Sequence, residues 1–297
     1  MSAALRHTAR ARRAVVPAVA DLPLGRNAAA ASGGVVGLTL CPGWADVRTI
    51  VCGHSHAWAL CHALVQPMDR GVVSPGPMLG RRFGLAGLGG GPKDAAYLDR
   101  ALDLGRTRHL AVMWNGNQHN ADFLLQSGPP FNLLPRRLHR APLQPGVQLV
   151  AESEVRAHFA PAIAQLEAFL AAAGRPRGCA RFVLGTPPPL HDVDLIRARL
   201  GQEPEFVARA AALGLDLADV PITPGEVRRK LWLVVQDLMR EAAARHRAVF
   251  IPAPAACLDV HGCLRPEFSV GDATHASLGY GILALQDLCA RLEGLAR

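Results

Sequence analysis

The sequence predicts one α/β domain built on a mostly parallel sheet with helices on both faces. Short apolar runs rich in β-branched residues alternate with amphipathic helical stretches, the pattern that buries a parallel sheet on both sides. Half of the 297 residues are apolar, ample for such a core, and α/β domains of this length are often single. No internal repeat interrupts the alternation.

Strands are expected at 48–53, 109–114, 181–185 and 248–251, with a weaker one near 79–85. Helices are expected at 56–66, 93–104, 153–173, 226–246 and 275–293. In the fourth, Val227, Leu231, Val234, Val235 and Leu238 share one face; in the last, Leu278, Ile282, Leu285, Leu288 and Leu292 form an apolar stripe. Two stretches break the rhythm. Ser127 to Gly146 holds five prolines, and Thr186 to Gly225 opens with Pro187-Pro188-Pro189. Both leave the carboxyl edge of the expected sheet, and both exceed ordinary connections. They read as lids or pocket walls, or as structural insertions.

The formal charge of +8 suggests nucleic acid until it is located. Arg6, Arg10, Arg12, Arg13 and Arg26 face one acid, Asp21, so about half of the excess lies in the first 26 residues. The remainder forms no basic stripe interleaved with aromatics, so nucleic-acid binding is not expected. Residues 1–45 read as a disordered extension preceding a domain at 46–297, although an Arg-rich, acid-poor segment also suits organelle targeting. The longest apolar run there, Ala14 to Ala20, contains Pro17 and is too short to span a membrane. Seven cysteines without a C-x-x-C pair suggest neither a zinc ribbon nor a disulfide framework. Cys52 and Cys289 fit core positions, and a reducing, cytoplasmic setting is the expectation, with an exported or organellar form left open.

The chemistry is concentrated in three places. Asp272 and His275 stand at the mouth of the last helix, three residues apart, so the carboxylate can hold one imidazole nitrogen and leave the other free. A histidine held this way is a general base in need of a nucleophile. Ser55 falls on the turn between the first strand and the helix after it, in Gly53-His54-Ser55-His56. That turn lies at the carboxyl edge of the sheet, where open α/β folds bind ligands, and a helix N-terminus there suits an oxyanion. At the end of another strand, Asn115-Gly116-Asn117-Gln118-His119 offers the Asn117 amide as a donor to the same oxyanion. The plainer readings are an exposed surface serine, a capping aspartate and an asparagine shaping a turn. His54, His56 and His119 read either as groups tuning Ser55 or a substrate oxygen, or as satisfied polar residues at the sheet edge.

Together these blocks resemble the SGNH hydrolases, the GDSL-type esterases, in their order along the chain: serine first, then asparagine, then Asp-x-x-His with Gly279 following. The resemblance covers roughly residues 48 to 293. His54 stands where the family has aspartate, Asn115-Gly116-Asn117-Gln118 departs from Gly-x-Asn-Asp, and the family's second-block glycine falls somewhere in Gly84 to Gly91. The resemblance implies a flavodoxin-like three-layer sandwich with a central, mostly parallel five-stranded sheet. It also implies acyl transfer through Ser55, His275 and Asp272, with Asn117 in the oxyanion hole and no cofactor. A small-molecule or carbohydrate ester would be the substrate, and an O-acyl esterase or an acyltransferase the activity. Two other readings stand beside it: a decayed binding protein on the same fold, and a metal-dependent hydrolase. For the latter, Gly53-His54-Ser55-His56 is similar to the Gly-His-x-His of calcineurin-type metallophosphoesterases, but it comes first in the chain rather than last. A nucleotide site is not expected: Pro92 breaks G-x-G-x-x-G after Gly87 and Gly89, and no P-loop is present.

Overall fold

The structure is a computed structural model and describes residues 37–40, 46–64, 75–89, 94–114, 118–138, 143 and 146–295. Along the chain, β1 (Gly37–Leu40) and β2 (Thr49–Gly53) precede α1 (Ala57–Ala63), α2 (Pro75–Phe83) and β3 (Leu85–Gly89). Next come α3 (Ala95–Gly105), β4 (His109–Met113) and the single turn α4 (Gln118–Ala121). The short strands β5 (Phe131–Leu133) and β6 (Gln148–Val150) lead to α5 (Glu152–Ala173) and β7 (Arg181–Leu184). The chain continues through α6 (Val193–Leu200), α7 (Pro204–Ala212), α8 (Gly225–Arg245), β8 (Val249–Ile251) and α9 (Leu278–Leu295).

Five strands form a parallel sheet in the order β3-β2-β4-β7-β8, and β1 adds an antiparallel edge beside β3. Numbered among the parallel strands alone, this is 2-1-3-4-5, the flavodoxin-like order, whose direction reverses between β2 and β4. The strands are buried on both faces and sort their side chains with period two. Ile50, Cys52, Leu110, Val112 and Val183 pack under α3, α5 and α8. Val51, Ala111, Met113, Phe182 and Leu184 pack under α1 and α9, with α6 and α7 in the same layer. Each large apolar side chain removed from water in this way contributes about 1.5–3 kcal/mol.

The weak strand expected near 79–85 lies elsewhere. Leu79 and Phe83 are four residues apart on α2, where both pack against the α1/α9 core, and the strand is the Gly/Ala-rich run Leu85–Gly89. Its small residues follow from packing: a Cβ on Gly87 would come within 2.9 Å of the Cys61 sulfur on α1. β5 and β6 were not anticipated; they pair with each other, outside the main sheet, within and just after the proline-rich stretch. Of the expected extension 1–45, Gly37–Leu40 is a sheet strand rather than disordered chain, paired from Gly37↔Gly89 to Leu40↔Ala86; the other 41 residues lie outside the described residues. Cys52 and Cys289 are buried and outside any disulfide among the described residues, as are Cys61, Cys257 and Cys263. Among the described residues, no helix is long and apolar enough to cross a membrane.

Two close backbone approaches set the geometry of the carboxyl edge. Gly53 ends β2 at φ 146°, where a Cβ would fall 2.0 Å from the Met113 carbonyl oxygen of β4. Gly281 on α9 meets α1, where a Cβ would fall 2.2 Å from the Ala59 carbonyl oxygen. Within a helix, alanine is ordinarily the better residue by about 1 kcal/mol. Here Gly281→Ala is expected to destabilise the fold by about 1–3 kcal/mol, because the helices must separate to admit the methyl group. Chemical denaturation checks this, and a variant as stable as the parent or more so would contradict the packing.

Candidate active site

Ser55 sits where the chain turns from β2 into α1. The His54 carbonyl accepts from Ala57 N–H at 2.9 Å and the Ser55 carbonyl from Trp58 N–H at 3.1 Å, so the turn leaves the Ser55 side chain exposed. The carboxyl end of β2 is also one wall of the crevice created by the strand-order reversal. Tyr97 fixes this strand end: its buried hydroxyl accepts from Gly53 N–H at 2.9 Å and lies 3.1 Å and 2.9 Å from the Gly53 and Leu88 carbonyls.

Asp272 and His275 arrive at the same edge on the segment before α9. His275 Nδ1 lies 2.9 Å from Asp272 Oδ2, while Asp272 Oδ1 accepts the backbone N–H groups of Thr274 (2.9 Å) and His275 (2.7 Å). One carboxylate therefore shapes the turn and holds the imidazole. Burial pushes the Asp272 carboxyl up, but the His275 hydrogen bond and charge, with the two N–H donors, override it and hold the group at about 2. For His275 burial works against protonation; the Asp272 hydrogen bond and charge, aided by Glu203 and Glu205, outweigh it and raise the pKa above the ordinary 6.5. Nδ1 being engaged, Nε2 is the free nitrogen: among the described residues it has no hydrogen-bond partner.

His56, the residue after Ser55, places its ring centroid 5.3 Å from that of His275, so the serine turn and the Asp-His turn are neighbours in space. Among the described residues no hydrogen bond joins Ser55 to His275. His56 itself is buried, and among the described residues neither ring nitrogen has a hydrogen-bond partner. Burial, reinforced by the charges of His275 and His119, holds its pKa well below 6.5, so it is neutral. His54 packs its ring edge on Trp114, centroids 4.4 Å apart, which makes it a packed wall residue at the end of β4. His119 is buried on α4. Asn117, like Asn115 and Gly116, lies outside the described residues. The glycine-rich run contributes Gly89 at the carboxyl end of β3, beside β2; Gly90 and Gly91 lie outside the described residues.

Two residues with no local signature complete the site. Glu203, just ahead of α7, accepts from Ala273 N–H at 2.7 Å and from the Thr274 hydroxyl at 3.3 Å. Arg199 on α6 donates to the Asp272 carbonyl at 3.0 Å and to Ser269 Oγ at 2.8 Å. The long 186–225 stretch is thus a wall that clamps the Asp-His turn. Ligand atoms of Glu203, Asp272 and His275 lie within 4.8 Å of one another, close enough for a cation. The Asp272 oxygens, however, already take two N–H groups and the imidazole. Burial and the Asp272 charge raise the Glu203 pKa, against the Ala273 N–H, His275 and Thr274. Sequence alone could not join Glu203 to Ala273, because nothing local in either segment marks a contact across 70 positions.

The Asp272–His275 bond makes a signed prediction. Its His275 share of stability is present below pH 6.5 and is lost as pH rises through the elevated folded pKa; the Asp272 share is present above 3.8 and lost as pH falls toward 2. Following the His275 ring by NMR should give a midpoint above 6.5 in the parent. In Asp272→Asn, with burial left and the anion gone, the midpoint should fall. An unchanged midpoint would show that Asp272 does not govern the imidazole.

No family model matches the chain, and no curated protein matches it in sequence. Among solved structures it is similar to a putative acylhydrolase from Bacteroides fragilis, at 12% identity and TM-score 0.41, over 86% of this chain and 91% of the other. It is similar to a carbohydrate acetylesterase from Sinorhizobium meliloti, at 16% identity and TM-score 0.38, over 84% and 99%. It is also similar to a GDSL-like lipase from Bacteroides thetaiotaomicron, at 10% identity and TM-score 0.37, over 86% and 90%.

Proposed function

We propose that this protein is a serine-dependent ester hydrolase. The observation that carries the reading is the Asp272–His275 pair, bonded at 2.9 Å with Nε2 free, beside the exposed Ser55 turn at the sheet's switch point. In this reading His275 Nε2 takes the Ser55 hydroxyl proton as Oγ attacks an ester carbonyl. Asp272 keeps the imidazole in the tautomer that leaves Nε2 basic and stabilises the imidazolium that forms. The tetrahedral oxyanion is held by the Ser55 N–H, a glycine N–H from the run Gly84 to Gly91 and the Asn117 amide. Collapse expels the alcohol, which takes its proton from His275. Water, activated by the same imidazole, then releases the acid and restores Ser55. A sugar hydroxyl in place of water would make the second step a transfer. A carbohydrate O-acyl ester is the substrate class we favour within this reading, because the serine turn is exposed and the polar side chains of Glu203, Thr274 and Arg199 stand around the Asp-His turn.

Hydrolysis of short-chain nitrophenyl esters tests the roles by their order. Ser55→Ala should remove nearly all activity, up to roughly a millionfold, since members of such a unit fail together. Asp272→Asn should cost about ten-thousandfold. Asn117→Ala should cost about a hundred- to a thousandfold, because backbone donors remain. Chelators should leave the rate unchanged. Full activity in Ser55→Ala would remove the nucleophile from the account, and loss with EDTA restored by zinc or manganese would move the chemistry to a metal at Glu203, Asp272 and His275.

A further inference from the structure

At the opposite end of the sheet from Ser55, the amino ends of β2, β4 and β7 open on a cleft of about 640 Å³. That volume is in the range that holds a small organic molecule, roughly 300–1,000 Å³. Phe83 from the end of α2 and Leu292 and Leu295 from the end of α9 give it an apolar side, next to Thr49 and His109 at the strand ends. Its rim is basic: Arg48 before β2, and Arg175 and Arg177 in the loop between α5 and β7, are exposed and make no ion pair among the described residues. Arg82 also lines it but is paired at 2.7 Å with Glu293, the one carboxylate among the described residues that line the cleft.

Arginines at this end of an α/β fold can serve simply to cap helix carbonyls. That task is already filled. Arg181 is buried and donates to the carbonyls of Gly105, at the end of α3, and of Ala173 and Gly174, at the end of α5. The three rim arginines therefore stand without an ion pair among the described residues, beside apolar side chains. A guanidinium fork matches a carboxylate, phosphate or sulfonate, and the apolar side matches an apolar body.

We propose that this cleft is a second, non-catalytic binding site for an amphiphilic organic anion, its head group held by Arg48, Arg175 and Arg177 and its apolar part lying on Phe83 and Leu292. The site is remote from Ser55, so its occupancy is separable from ester hydrolysis. The probe is anilinonaphthalene sulfonate, titrated by fluorescence into the full chain, with octanoate and inorganic phosphate as competitors. The parent should bind the dye saturably, octanoate should displace it, and phosphate should do so at least tenfold less well. The double change Arg175→Glu with Arg177→Glu should weaken dye binding at least tenfold while ester hydrolysis and melting temperature stay as in the parent. Arg48→Glu, in the separate segment before β2, should weaken it in the same direction and guards against misfolding of the double variant. The proposal is overturned by non-saturable dye binding in the parent, by unchanged affinity in both variants, or by phosphate competing as well as octanoate.

Discussion

The contact between Gly281 and the Ala59 carbonyl fixes how closely the helix after His275 can approach the helix after Ser55. Everything at the site depends on that spacing, because the two turns belong to opposite ends of the chain. Tyr280, the neighbour of Gly281, donates from its buried hydroxyl to the Gly185 carbonyl at 2.9 Å and so ties α9 to the end of β7. Gly53 plays the corresponding part on the other side, letting β2 and β4 come together where the strand order reverses. The site is thus held by backbone packed on backbone, which does not yield to side-chain rotation.

Onto this frame the structure adds a small set of charges whose environments push them apart. Asp272 is anionic, held low by four interactions; His275 is the basic imidazole, raised by that anion. His56, buried and neutral, adds no second cation beside it. Glu203 and Arg199 reach the same turn from the 186–225 segment, so the wall of the crevice and the alignment of the imidazole are one structural unit. The carboxylate therefore stays charged near neutral pH, and the imidazole is the group of the pair that can gain or lose a proton.

Much of this was legible in the sequence. The parallel sheet could be read because β2, β4 and β7 are mostly apolar runs with β-branched or aromatic residues. The pairing of Asp272 with His275 could be read because two residues three positions apart on one turn can meet. The position of Ser55 followed from a strand ending in glycine ahead of a helix. What could not be read depended on contacts distant in sequence. β3 looked like neither strand nor helix, since Gly87 at its centre answers to Cys61 on α1 rather than to strand propensity. The pairing of Gly37–Leu40 with that same strand was invisible in an Ala/Gly-rich segment. Glu203 needed the fold to bring it to Ala273, and the burial of His56 needed it too.

The two ends of the sheet carry different chemistry: a serine, an imidazole and carboxylates at the carboxyl edge, guanidinium groups beside apolar side chains at the amino edge. The central claim concerns the first of these, that Ser55 is a nucleophile activated by His275. It is tested most directly by treating the protein with a serine-directed phosphonate and mapping the adduct by peptide mass spectrometry. The account predicts a single phosphonyl group on Ser55, absent when His275 is replaced by alanine. An adduct on another residue, or none on a folded protein, would contradict it.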